Sequence, residues 1–410
     1  MIKVISYEQL ERILTRSTLA VSHFITPINL LEEKEKFLSS KHYEPQFLYS
    51  VKKKNIEKGL HALREIRHVK YVEGVPDGMV KYLKMIIKSK LNTADLISKI
   101  GKNKEFNIAT QAKYMIPSEV YFMKATKLLR GKSRIIEYVD VHQDDKEVRY
   151  SSEDLFVLVE RFLRKLKIDF TTEDNDTYKR TNDEYIELLR QKKGIPYSWC
   201  IKYKNDTSKS VTIGNKFRYI LIPKDSTFSK LRMKKILVHE IGTHLLRSIN
   251  GVKLGYEIFG KATVAAYLYT EEGLAVYNEE MYGLITKKSV KRMALLSYNV
   301  YLAHKYFYSF RDLYNLNIAF LPPKEAFSVA YRIKRGLSDT SGPGGYTKDA
   351  TYFKGAILTQ KRIKQDPNHY KAMYIGKVPF SWINVLKKCS RCQIIVPPYR
   401  EVKLFLDSIK

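Results

Sequence analysis

Apolar residues recur every three or four positions from Ser6 to Ser39, from Val51 to Val69 and from Val80 to Ile100. This spacing predicts helices and a helical amino-terminal third. Ser151-Ser152-Glu153-Asp154 then opens a further amphipathic run, Leu155 to Leu166, in the manner of a capping box. A polar stretch from Thr171 to Glu184, rich in Asp, Asn and Thr, reads as a loop or a weak helix start. Val211 to Pro223 alternates, with Phe217, Tyr219, Ile220, Leu221 and Ile222, and predicts a strand. Leu231 to Ile249 follows as a helix that is apolar on nearly every side. Thr270 to Leu284 is the next helix, with Thr270 as its cap, and Val290 to Tyr314 reads as one long buried helix. Gly336 to Gly345 cannot sustain helix or strand and must be a loop, after which Lys348 to Gln360 returns to helical spacing. The pattern as a whole is α+β and mostly helical, with a small sheet beside the Leu231 to Ile249 helix. It divides into an amino-terminal helical segment (1–55), a helical lobe (56–130) and a larger domain (131–410).

Composition narrows the class. With 410 residues, 44% of them hydrophobic and 28% charged, the chain is long enough for two lobes around a cleft and is not a disordered polymer. Three cysteines, Cys200, Cys389 and Cys392, are too sparse for a disulfide scaffold and point to a reducing compartment, so the cytoplasm is the expected location. The start carries Glu8, Glu11, Arg12 and Arg16 and lacks the layout of a secretory signal. No apolar run approaches the roughly 18 residues of a membrane helix. The charge is unusual, with 73 Lys and Arg against 43 Asp and Glu for a net +30. The excess gathers in residues 51–130 (18 basic, 7 acidic), 201–250 (11 and 3) and 351–400 (10 and 1). Such a field speeds encounter with a polyanion, whether nucleic acid, an anionic membrane surface or an acidic polypeptide. A Lys-rich solvated surface is the plainer reading beside it.

The chemistry concentrates in His239-Glu240-Ile241-Gly242-Thr243-His244. Zinc favours neutral imidazole nitrogens plus a carboxylate, and a catalytic site keeps one position for water. The familiar form of this motif spaces its histidines four apart on one helical face. Here they are five apart, which in a regular helix swings the second about 140° around the axis from the first. One extra residue in the turn, a π-bulge, realigns them, and Gly242 sits where the widening is needed. Ile236, Leu237, Val238, Ile241, Leu245 and Leu246 bury the helix middle, so Glu240 and both imidazoles need partners. A metal supplies one for all three, and a hydrogen-bonded core network is the alternative. A third ligand is expected from Glu271-Glu272-Gly273-Leu274-Ala275, where Gly273 and Ala275 let a second helix approach the histidine helix closely.

These segments, with Leu245-Leu246-Arg247 and Asn250-Gly251, resemble the metallopeptidase family that includes the microtubule-associated tyrosine carboxypeptidases and the bacterial QEGLA-motif proteins. Arg332-Ile333-Lys334-Arg335-Gly336, Asp339-Thr340-Ser341, Pro343-Gly344 and Lys348-Asp349-Ala350-Thr351-Tyr352 are similar to a further block of the tubulin-acting branch. The resemblance runs from about Ile56 to the end, and the first 55 residues match nothing in it. It implies a zincin-like catalytic domain with one Zn2+ held by His239, His244 and Glu272, and Glu240 as general base. Glu271 stands where the bacterial pattern has glutamine. The implied activity is that of a zinc-dependent metallocarboxypeptidase, a hydrolase that removes a carboxy-terminal tyrosine from an acidic protein tail, with tubulin or microtubules as partner. Recognition of a terminal carboxylate calls for Arg or Lys. Arg335 and Lys348, flanking the glycine-rich loop, are the candidates, with Tyr352 as donor to the developing oxyanion. Surface charge or core packing is the alternative for each.

Cys389-Ser390-Arg391-Cys392 lacks a second pair or a nearby histidine and reads as two reduced cysteines. The rival functional class is a basic polyanion- or filament-binding protein with a non-catalytic metal site. No recognised nucleic-acid module supports it.

Overall fold

A computed structural model describes residues 4–17, 19–51, 53–133, 135–139, 148–172, 199–205, 210–215, 218–261, 264–389 and 394–409. Residues 173–184 of the polar stretch and the Cys389 to Cys392 side chains lie outside this set. The fold is mostly helical with small sheets, as the periodicity predicts. β1 (Val4–Ser6) pairs in parallel with β2 (Tyr71–Glu73), and β3 (Arg149–Tyr150) runs antiparallel to β8 (Phe228–Ser229). A four-stranded sheet has the order β4 (Phe170–Thr172), β5 (Trp199–Lys204), β7 (Tyr219–Pro223), β6 (Thr212–Gly214). Its first three strands are parallel and β6 is antiparallel to β7.

Several runs divide where local chemistry interrupts them. Ser6 to Ser39 becomes helices Tyr7–Arg16 and Leu30–Ser39, joined by a 3-10 turn at Val21–His23 and by Thr26-Pro27, where proline disfavours a helical residue before it. Val211 to Pro223 is a hairpin, β6 and β7, rather than one strand. Val290 to Tyr314 is two helices, Lys287–Lys305 and Phe310–Ile318. Phe307 adopts φ 59° between them, and Ser309 starts the second helix in a capping box with Asp312. Thr270 is not a cap. The helix begins at Tyr267, and the Thr270 hydroxyl accepts the Phe380 N–H at 2.9 Å instead. The capping box at Ser151 is present, with the Asp154 carboxylate accepting the Ser151 N–H at 2.8 Å and the Ser151 hydroxyl accepting the Asp154 N–H at 3.1 Å.

The main hydrophobic cluster joins distant parts of the chain. Leu10 and Leu14 of the first helix and Tyr82, Leu83 and Ile86 of Asp77–Ser98 share it with Ile220 and Ile222 of β7. Ile236, Leu237, Ile241 and Leu245 of the histidine helix belong to it too, as do Leu155, Val159 and Phe162 of Ser152–Lys165. β7 leads through β8 into the histidine helix, so the sheet and the amino-terminal helices together fix the helix that carries the motif. No helix among the described residues is long and apolar enough to cross a membrane.

Candidate metal centre

The histidine helix runs as α-helix over Lys230–Ile236, π-helix over Leu237–Leu245 and α-helix again over Leu246–Lys253. The widened stretch contains the whole motif, and it brings His239 and His244 together with ring centroids 4.8 Å apart and planes at 84°. Widening displaces carbonyls from their ordinary partners, and side chains answer them. Thr243 donates its hydroxyl to Val238 O at 2.9 Å, and Tyr374 donates to Gly242 O at 3.0 Å. Asn278 donates to both of those hydroxyl oxygens, at 2.7 Å to Thr243 and 2.8 Å to Tyr374. Buried polar groups thus stabilise the irregular turn within an otherwise apolar helix.

The helix Tyr267–Met281 supplies the carboxylates. Glu272 Oε2 lies 3.7 Å from His239 Nε2 and 3.8 Å from His244 Nε2. The other ring nitrogens are already engaged, His239 Nδ1 by Glu279 Oε1 at 2.7 Å and His244 Nδ1 by Glu271 Oε1 at 2.9 Å. That arrangement turns both Nε2 atoms inward. Donor atoms of His239, His244 and Glu272 all fall within 4.8 Å of one another, a spacing that admits one cation. The charges agree with this. Burial works to keep His239 neutral, yet hydrogen bonding to Glu272 and Glu279 and the nearby Glu240 raise its pKa well above the ordinary value. A site that draws a proton this strongly is short of positive charge, and the imidazole-plus-carboxylate donor set suits zinc.

Glu271 and Glu272 have divided roles. Glu271 is buried and ion-paired to Arg247 and Lys377. Burial alone raises a carboxylate pKa, but Lys377, Arg247 and His244 hold that of Glu271 well below its usual range. Arg247, fully buried, also donates to Met373 O (2.9 Å), Gly376 O (2.5 Å) and Val378 O (3.0 Å). Asn250 donates to Tyr374 O and Ile395 O at 2.9 and 2.7 Å. The motif residues after His244 therefore tie the histidine helix to the carboxy-terminal segment.

Gly273 serves a different approach from the one expected. A β-carbon there would lie 2.3 Å from Gly355 O and 2.4 Å from Thr359 Oγ1, so its bareness admits the helix Thr351–Gln365 rather than the histidine helix. That contact carries Tyr352 to the site. The charge of Glu272 raises the Tyr352 pKa, with Lys348 partly offsetting it, so Tyr352 keeps its proton. Lys348 Nζ lies 5.6 Å from the centre of the Tyr352 ring. Its pKa is raised by Tyr352, against burial, with Asp349 and Glu272 adding to the rise. Asp349, fully buried, accepts two 2.7 Å bonds from Arg332 and one of 3.3 Å from Arg335. Arg335 Nε is buried with no hydrogen-bond partner among the described residues. Arg335 and Lys348 line one cavity of about 330 Å3 with Tyr267 and Leu268 of the glutamate helix. Glu240 is half-buried and makes no hydrogen bond or ion pair with the described residues. The structure thus gathers His239, His244, Glu272, Tyr352 and Lys348 around one point, with Arg335 on the adjoining cavity. Sequence reasoning passed over Glu279, which lies seven residues and two turns beyond Glu272 on the same face.

The sequence model of the microtubule-associated tyrosine carboxypeptidase family matches residues 187–408, which include His239, His244 and Glu272. The putative tyrosine carboxypeptidase MATCAP2 of Mus musculus is 31% identical over 169 residues, 40% of this chain and 31% of that protein. Microtubule-associated tyrosine carboxypeptidase 1 of Rattus norvegicus is 30% identical over 164 residues, 38% of this chain and 33% of that protein. The chain spans about a third of the length of these relatives.

Proposed function

Because the chain belongs to the microtubule-associated tyrosine carboxypeptidase family, we propose that it is a zinc-dependent metallocarboxypeptidase releasing tyrosine from the end of an acidic protein tail, with tubulin as substrate. The observation that carries the reading is the convergence of His239 Nε2 and His244 Nε2 on Glu272 Oε2, each imidazole held from behind by a second carboxylate. In this reading His239, His244 and Glu272 hold one zinc ion. When bound, zinc lowers the pKa of water and polarises a carbonyl. Glu240, with no hydrogen bond or ion pair among the described residues, accepts the proton of the attacking water at its carboxylate and returns it to the leaving nitrogen. Tyr352, kept protonated by Glu272, donates its O–H to the developing oxyanion. Lys348 and Arg335, which both line the cavity, receive the terminal carboxylate there. The net charge of +30 suits an acidic tail.

The test pairs Glu240→Gln with the unaltered protein. Unaltered protein contains one zinc per chain by elemental analysis and releases tyrosine from an acidic tail peptide, read by mass spectrometry. Glu240→Gln keeps the zinc and loses the release. A chain purified without zinc that takes none up on titration sinks the proposal, and so does a Glu240→Gln variant with full activity. The rival class, a polyanion-binding protein with an inert metal site, predicts tail binding by both proteins and cleavage by neither.

A further inference from the structure

The cavity beside the metal cluster has a wall that the family match does not reach. Residues 187–408 supply Arg335, Lys348 and Tyr346, but the facing lining includes Thr93 and Lys113, from helices Asp77–Ser98 and Asn103–Tyr114. At about 330 Å3 the space is at the small end of ligand pockets, and Tyr114, Tyr267, Tyr346 and Leu268 give it an aromatic and apolar lining. That is room for one side chain and its carboxylate.

Lys113 is the anomaly in this lining. Its Nζ lies 2.5 Å from Thr93 Oγ1 and 3.5 Å from Ser89 O, two neutral oxygens, and 5.3 Å from the Tyr114 ring centre. An ammonium has three donors, so at least one is left for whatever enters the cavity. Burial pushes its pKa down to about 8, and no neighbouring charge contributes to that shift. Arg335 and Lys348, by contrast, belong to the charged group around Asp349 and Glu272. Lys90, which is buried and has a partner of its own, also lines the cavity, and beside it the lining holds two kinds of cation. One kind includes Lys348, which feels the charge of Glu272 and so stands on the side of the histidine cluster. The other stands apart from those charges, among aromatic side chains.

We infer that Lys113 is a specificity-determining residue that donates a hydrogen bond to the phenol oxygen of the substrate's terminal tyrosine and so selects tyrosine over phenylalanine. The inference rests on the carboxypeptidase reading above. A buried donor left without its acceptor is costly, and sites built around such a donor reject the analogue that lacks the partner far more strongly than apolar pockets reject a missing methylene. Thr93 supports Lys113 by holding its Nζ in the wall.

The experiment compares unaltered protein with Lys113→Met, which keeps the length of the stem and removes the charge. Acidic tail peptides ending in Tyr, Phe or Glu give kcat/KM for release, and calorimetry with free tyrosine and free phenylalanine gives binding without turnover. Unaltered protein favours the Tyr peptide. In Lys113→Met the Tyr value falls about 10- to 100-fold, the Phe value changes less than about 3-fold, and the binding preference for free tyrosine shrinks in step. Retained Phe release shows that the variant is folded. An unchanged Tyr-to-Phe ratio, a parallel loss on both peptides, or a Lys113-dependent preference for Glu overturns the assignment. The two proposals fail separately. Lys113-dependent tyrosine binding without any release keeps the pocket assignment and removes the hydrolytic reading. Release of both residues at equal rates does the reverse, and neither binding nor release removes both.

Discussion

What sets the candidate site apart from a mere histidine pair is the carboxylate behind each ring. Glu279 accepts from His239 Nδ1 and Glu271 from His244 Nδ1, which fixes the tautomers and leaves both Nε2 atoms to the shared point. Glu279→Gln should weaken zinc binding about 10- to 100-fold, measured by competition with a coloured chelator, with little change in melting temperature of the metal-free protein. Asp349 makes the contrasting case, a purely structural carboxylate. Burial opposes its charge, but Arg332, Arg335 and Lys348 hold its pKa below the usual range. A depressed pKa contributes stability that is present above the unfolded value near 4 and lost as pH falls toward the folded one. Thermal melts from pH 7 down to about 2 should therefore show a decline beginning near pH 4, and Asp349→Asn should make it shallower while Glu271 keeps its own share. That variant should also cost about 3 kcal/mol at neutral pH, since it strands two arginines. His239, Glu240 and His244 were legible in the sequence because they share one short, apolar helix in which charged groups need a reason. From the residues alone the choice between Glu271 and Glu272 was open, and only the family resemblance pointed to Glu272; Glu279 was invisible, because the answer depends on how one helix is rotated against another. Only the packed structure sets that rotation.

At the scale of elements, the five-residue spacing of the histidines demanded a widened turn, and the π-helix over Leu237–Leu245 supplies it. The glycines around it are not equivalent. A β-carbon on Gly242 would sit 3.3 Å from Leu237 O, a contact that a few tenths of an ångström relieve. One on Gly273 would sit 2.3 Å from Gly355 O, backbone against backbone. Gly273→Ala should therefore force apart the helices that carry Glu272 and Tyr352, lowering the melting temperature sharply, whereas Gly242→Ala should cost about 1 kcal/mol or less. Equal losses from the two substitutions, measured by calorimetry, would contradict this account. The helices themselves were readable from periodicity, because their apolar faces are what the core buries. Their breaks were less so. Phe307 interrupts the run from Val290 to Tyr314 with a left-handed residue that no turn signal announces, and the contact of Gly273 with Gly355 joins segments about eighty residues apart, beyond any local pattern.

The whole molecule adds a field to this site. Net charge of +30 acts on a substrate before contact, so it bears on encounter and not on bond breaking. Within the cavity the charges are partly buried and short-ranged, whereas the excess over residues 51–130 and 351–400 acts through solvent that salt screens within about 8 Å at physiological ionic strength. The two contributions therefore separate experimentally. Raising sodium chloride from about 50 to 300 mM should lower kcat/KM for an acidic tail peptide at least several-fold, through KM, while leaving kcat nearly constant. A peptide with the same last two residues but a neutral tail should show little dependence, because its carboxylate meets only the sheltered cations of the cavity. If both peptides lose activity alike, the field does not steer the tail, and the basic surface serves another purpose. If only the acidic peptide does, the charge that composition first exposed belongs to the same function as the two histidines.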